Sequence, residues 1–118
     1  MRIHHLALRV LDCERAAAFY SGVLGLDEIR RHVTRGKVRA IWLRAGETIL
    51  MLETSLRGVG AETGSSHVLV FDVEDLPEWE ARLARAGVLS TDRTEKTLYL
   101  NDPDGHRVGL TVFGTATP

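Results

Sequence analysis

Apolar and polar positions alternate through residues 3–10, "IHHLALRV", with Leu6, Leu8 and Val10 on one face. That period predicts a strand whose other face carries His5 and Arg9. The pattern then turns helical. Ala16, Phe19, Tyr20, Val23 and Leu24 recur at helical spacing, so "CERAAAFYSGVLG" predicts a helix with one apolar stripe. Asp12 stands at the N-cap position, and Gly25 stands where the helix must stop. Strands are predicted around 28–33, 38–44 and 48–54, with "TRGK" and "RAGET" supplying the turns.

Residues 55–66, "SLRGVGAETGSS", are rich in Gly and Ser and read as a linker. The same order then starts again. "HVLVFDV" predicts a strand. "EDLPEWEARLARAG" predicts a helix with Leu76, Trp79, Leu83 and Ala86 on one side and Gly87 as its stop. Short strands follow near 88–93, 96–101 and 107–113, the last one entered through the tight turn "DPDG".

The two halves align by hand. Val10 falls on Val73 and Asp12 on Asp75, both 63 residues apart. "AIWLRAG" falls on "TLYLNDP", which sets Trp42 against Tyr99. "ILML" falls on "RVGL", which sets Met51 against Gly109. The expected fold is therefore α+β, a single domain of two βαβββ modules, 1–54 and 67–114. They would form a half-open barrel with helices on the outer face and a cleft on the concave face.

Composition narrows the function classes. The 118 residues are 44% hydrophobic and 26% charged, with a net charge of −1, so no basic excess points to nucleic acid. No apolar run approaches a membrane span, and "MRIHHLALRV" does not read as a signal peptide. The single cysteine, Cys13, permits no internal disulfide and fits a reducing, cytoplasmic setting. In the first helical turn its pKa would be lowered by the helix dipole, with a thiol at the surface or helix edge.

"HHLALRVLDCERAAAFYSGVLGLDE", "VFDVEDL" and "DPDGHRVGL" together resemble the vicinal oxygen chelate superfamily. This group includes glyoxalase I, bleomycin- and fosfomycin-resistance proteins, methylmalonyl-CoA epimerase and extradiol dioxygenases. The resemblance covers residues 3 to 113 and implies a homodimer. It also implies four metal-ligand places, one early on the first strand and one on the last strand of each copy. These fall on His5, Met51, Val68 and Gly109. Only His5 matches the family's ligand type. A thioether is a poor ligand for hard or borderline cations, and Val and Gly have no ligating side chain.

Two functional readings follow. In the first, a metal-independent protein binds a small organic molecule, planar or antibiotic-like, with no cofactor. Its cleft takes His5, Arg9, Trp42, Met51 and Glu53 from the first copy. The second copy supplies Val68, Asp72, Tyr99, Arg107 and Gly109. In the alternative, a divalent-metal-dependent lyase, isomerase or dioxygenase uses His5 with Glu53 and His67, which requires a bulge to turn His67 inward. Arg9 and Asp72 either pair with each other or leave Arg9 to grip an acidic ligand. Trp42 and Tyr99 either stack on a flat ligand or close the cleft or a subunit interface. Gly109 would leave space.

Overall fold

The structure, a computed structural model, describes residues 1–55 and 67–113. All of the predicted linker after Ser55 lies outside the described residues. The chain divides into two compact units, Met1–Val59 and Gly60–Pro118. Unit 1 contains β1 (His5–Arg9), α1 (Cys13–Ala17), β2 (Asp27–Thr34), β3 (Lys37–Ala45) and β4 (Thr48–Glu53). Unit 2 contains β5 (Leu69–Asp72), α2 (Leu76–Arg85), β6 (Ser90–Arg93), β7 (Thr97–Asn101) and β8 (Arg107–Thr111).

Each unit has one four-stranded mixed sheet, ordered β1-β4-β3-β2 and β5-β8-β7-β6. The first strand of each unit runs parallel to its last, and the remaining pairs are antiparallel. The fold is α+β, built from two βαβββ modules, and neither sheet closes.

Both helices begin as the sequence requires. The Asp12 carboxylate accepts from the backbone N–H groups of Glu14 and Arg15 at 2.9 and 3.1 Å. That of Asp75 accepts from Glu78 N at 3.1 Å. Each bond satisfies a helical donor that has no carbonyl partner. Gly25 (φ +87°) and Gly87 (φ +74°) follow the two helices in the left-handed region, where a side chain is strained.

The first helix departs from its expected form. Only Cys13–Ala17 is α-helical, and Ala18–Val23 continues as a π-helical turn. Leu24 N donates to Phe19 O, and Leu26 N donates to Tyr20 O. The wider turn buries the adjacent Phe19 and Tyr20 together, their rings edge to face at 4.9 Å.

In unit 1, α1 packs on β3 and β4, and the core gathers Leu8, Val10, Ala16, Ile41, Leu43, Leu50 and Leu52. In unit 2, α2 packs on β7, with Leu76, Leu83, Leu98, Leu100, Val108 and Leu110 buried. Each such Val, Leu or Ile side chain contributes about 1.5–3 kcal/mol. Two assigned core positions fall outside this core. Leu6 is 39% exposed because it lies near the start of an edge strand, and Ala86 is exposed at the C-cap of α2. Trp79 is half-buried, with the Arg82 guanidinium 4.8 Å from its ring centre.

Cys13 also corrects its expectation. It is buried, and its Sγ donates to Leu52 O at 3.4 Å. Burial, then the nearby Asp12 and Glu53 charges, push its pKa up rather than down. A helix dipole lowers a thiol pKa where the sulfur is partly solvated, and the packing around Cys13 removes that solvent.

The turn at "DPDG" is held by Asp102, the one buried charged residue among those described. Its Oδ1 accepts from Asp104 N at 2.9 Å and His106 N at 2.8 Å, closing the loop that feeds β8.

Candidate functional site

The helix-free face of the unit 1 sheet can be read from strand register, because partners across a ladder share a face. Three rows cross it in the order β2, β3, β4, β1. The first is Asp27, Arg44, Ile49 and His5. The second is Arg30, Trp42, Met51 and Ala7. The third is His32, Ala40, Glu53 and Arg9. Five predicted site residues, His5, Arg9, Trp42, Met51 and Glu53, thus lie on one face.

Trp42 sits in the middle row with polar neighbours on β2. The Arg30 guanidinium carbon lies 5.2 Å from its ring centre, and the His32 ring centre lies at 6.0 Å. The indole Nε1–H is shielded from solvent and has no hydrogen-bond partner among the described residues. Leaving such a donor unpaired costs about 1–3 kcal/mol.

Arg30 reaches this face through a bulge. The register shifts between Glu28 and Arg30, so Ile29 is skipped. Strict alternation from Asp27 would have set Ile29 beside Trp42. The extra residue puts a cation there instead. Arg31 then turns to the helix side, where it pairs with Glu28 at 2.7 Å and Glu14 at 3.1 Å. The Arg31 hydrogen bonds hold the Glu28 carboxyl below its ordinary pKa. Neither Arg30 nor His32 was singled out from the sequence, and the bulge is why.

His5 is exposed, and its Nδ1 lies 3.0 Å from His4 Nδ1, the two rings meeting edge to face. It pairs with Ile49, whereas Glu53 pairs with Arg9. The two are four residues apart along the ladder, about 13 Å.

The corresponding face of unit 2 carries the rows Asn101 and Arg107; Asp92, Tyr99, Gly109 and Val70; and Thr97, Thr111 and Asp72. Val68 lies one residue before β5 and is 41% exposed. The predicted equivalences hold in register, since Trp42 pairs with Met51 and Tyr99 with Gly109.

The space at Gly109 is already used. A Cβ there would meet Val70 Cγ2 at 3.2 Å and Tyr99 Cε1 at 3.3 Å. The Arg107 guanidinium carbon lies 4.2 Å from the Tyr99 ring centre, and Arg107 pairs with Asp92 at 3.7 Å.

A family model described as Glyoxalase/Bleomycin resistance protein/Dioxygenase superfamily matches residues 2–110. The chain belongs to this superfamily. Among solved structures it resembles lactoylglutathione lyase from Agrobacterium tumefaciens, at 21% identity and TM-score 0.73, covering 93% of this chain and 92% of that one. It also resembles TnmS3, an antibiotic-binding protein from a Streptomyces species, at 22% identity and TM-score 0.73, covering 94% of each chain. A third match is the fosfomycin-resistance protein FosX from Listeria monocytogenes, complexed with Mn(II) and a dihydroxypropylphosphonic acid. It shares 18% identity at TM-score 0.78, over 98% of this chain and 94% of that one. At these identities the likeness is one of fold.

The superfamily includes metal-dependent proteins, but the residues here fit such a centre poorly. Met51 and Gly109 stand at two expected ligand places, and neighbouring side chains crowd the second. His5 and Glu53 are too far apart along the ladder to share an ion. His67, the third residue of the alternative set, is exposed and precedes β5 by two residues. No group of three His, Cys, Asp or Glu that could hold a metal occurs among the described residues. No helix among them is long and apolar enough to cross a membrane.

Proposed function

We propose that this chain is a metal-independent binding protein for a small, flat organic molecule, antibiotic-like in size. Trp42 supplies the stacking surface. Its half-buried ring and unpartnered Nε1–H carry the reading. A protein keeps a costly orphan donor most readily where a ligand supplies the acceptor. Met51 and Ala7 extend the middle row as a soft apolar floor, and His5, Arg9 and Glu53 give it a polar margin. In this reading Val68, Asp72, Tyr99, Arg107 and Gly109 line the corresponding face of unit 2, with Tyr99 held firm by Arg107. That TnmS3 is an antibiotic-binding protein of this fold supports the assignment.

The protein acts as a cytoplasmic homodimer in this reading. β2 is an edge strand of eight exposed residues with Ile29 and Val33 on it, the kind of edge that association covers. The lone, buried Cys13 suits a reducing compartment.

The test is a thermal-shift panel of flat polycyclic compounds, run with and without chelator on wild type and Trp42→Ala. Wild type should be stabilised by members of the panel to the same extent with chelator present, and Trp42→Ala should lose the response. Stabilisation that vanishes with chelator would instead indicate a metal-dependent site.

A further inference from the structure

We infer that the ligand of this face carries an anionic oxygen, a carboxylate or phenolate conjugated to its flat ring system, which Arg30 and the Trp42 Nε1–H receive together. The inference rests on the binding reading above and adds the ligand's charge and the groups that read it.

Three observations converge. The Trp42 N–H lacks an acceptor among the described residues. Arg30 lies against the same indole, and no carboxylate pairs with it among the described residues. Four arginines, Arg2, Arg31, Arg93 and Arg107, do pair with carboxylates, on Glu47, Glu28 with Glu14, Glu80 and Asp92 respectively. His32 adds a second polar group beside Trp42.

The chemistry of these groups selects the ligand. An indole N–H only donates, and a guanidinium has donors and no acceptor. Their shared partner must therefore be an acceptor, and a negative one benefits most. Stacking on the indole also holds the Arg30 side chain near the ring before a ligand arrives, so less side-chain entropy is lost on binding. The bulge at Ile29 creates this arrangement, because without it an isoleucine would stand at the indole.

The test compares 2-naphthoate with neutral 2-naphthamide by isothermal titration calorimetry. The proteins are wild type, Arg30→Gln and Trp42→Phe, the last keeping an aromatic ring while deleting the N–H. Wild type should bind naphthoate roughly ten- to a hundredfold more tightly than naphthamide, the range of a charge-assisted hydrogen bond. Arg30→Gln should bring the two affinities together, and Trp42→Phe should narrow the gap. Arg30 is exposed, so its variant should fold normally, which circular dichroism checks. Equal binding of both compounds by wild type would overturn the inference and leave the flat-ligand reading standing. So would a preference that survives Arg30→Gln. Binding of neither compound at millimolar concentration would overturn both.

Discussion

The two units follow one plan and spend it differently. Both place an aromatic residue in the middle of the third strand, Trp42 in one and Tyr99 in the other. Around Tyr99 the neighbours are complete. Gly109 makes room, Val70 and the tyrosine fill it, Arg107 covers the ring, and Asp92 pairs with Arg107. Around Trp42 they are not, since its N–H has no partner and Arg30 has no acid among the described residues. The same position is enclosed by its neighbours in one unit and keeps an unpartnered donor in the other, where the proposed reading sets the ligand.

The largest effects should fall on the shared core. Leu43 and Leu100 hold equivalent places on β3 and β7, and both are fully buried. Truncating either to Ala should cost about 2–5 kcal/mol by urea denaturation. A loss at Leu100 under about 1 kcal/mol would break the equivalence of the two cores.

Gly109→Glu separates the units next. It restores a carboxylate of the superfamily's kind, but its Cβ must displace Val70 and Tyr99. The expected result is about 1–3 kcal/mol of destabilisation with no tight Mn(II) binding by calorimetry. Tight Mn(II) binding would show that this face can still assemble a metal site.

The helix caps should differ in degree. Asp12 serves two N–H groups and Asp75 one, so Asp12→Ala should cost about 1–2 kcal/mol and Asp75→Ala nearer 0.5–1 kcal/mol. Equal losses would mean that the second bond adds nothing.

A smaller asymmetry is pH-dependent. The Cys13 thiol is held above its ordinary pKa, so the folded state keeps its proton where the unfolded chain has begun to lose it. Its stabilising contribution is fully present below the ordinary value of 9.0 and declines as pH rises from there towards the folded pKa. Cys13→Ala should flatten that decline, which chemical denaturation at pH 8 and pH 10 would register.

Much of the fold was legible because it occurs twice. The aspartate caps, the glycine stops and the equivalence of Trp42 with Tyr99 and of Met51 with Gly109 are all visible in the internal alignment, and strand register agrees with that equivalence. Local departures from periodicity were not legible. Over six residues a π-turn and an α-turn leave similar apolar spacing, so Ala18–Val23 read as ordinary helix. The bulge that exchanges Ile29 for Arg30 depends on pairing with β3, which alternation within β2 does not encode. The Cys13 shift depends on burial, and the crowding at Gly109 on the rotamers of two neighbours. The His5 and Glu53 alternative was open in the sequence, and ladder register decides against their sharing one ion.

The central claim is that the Trp42 indole is the wall on which a ligand lands. The chain has two tryptophans, so a ¹H–¹⁵N spectrum carries two indole N–H signals, assigned by Trp79→Phe. On titration with 2-naphthoate, the Trp42 signal should move downfield to saturation while the Trp79 signal stays in place. Movement of the Trp79 signal with that of Trp42 unchanged would contradict the account.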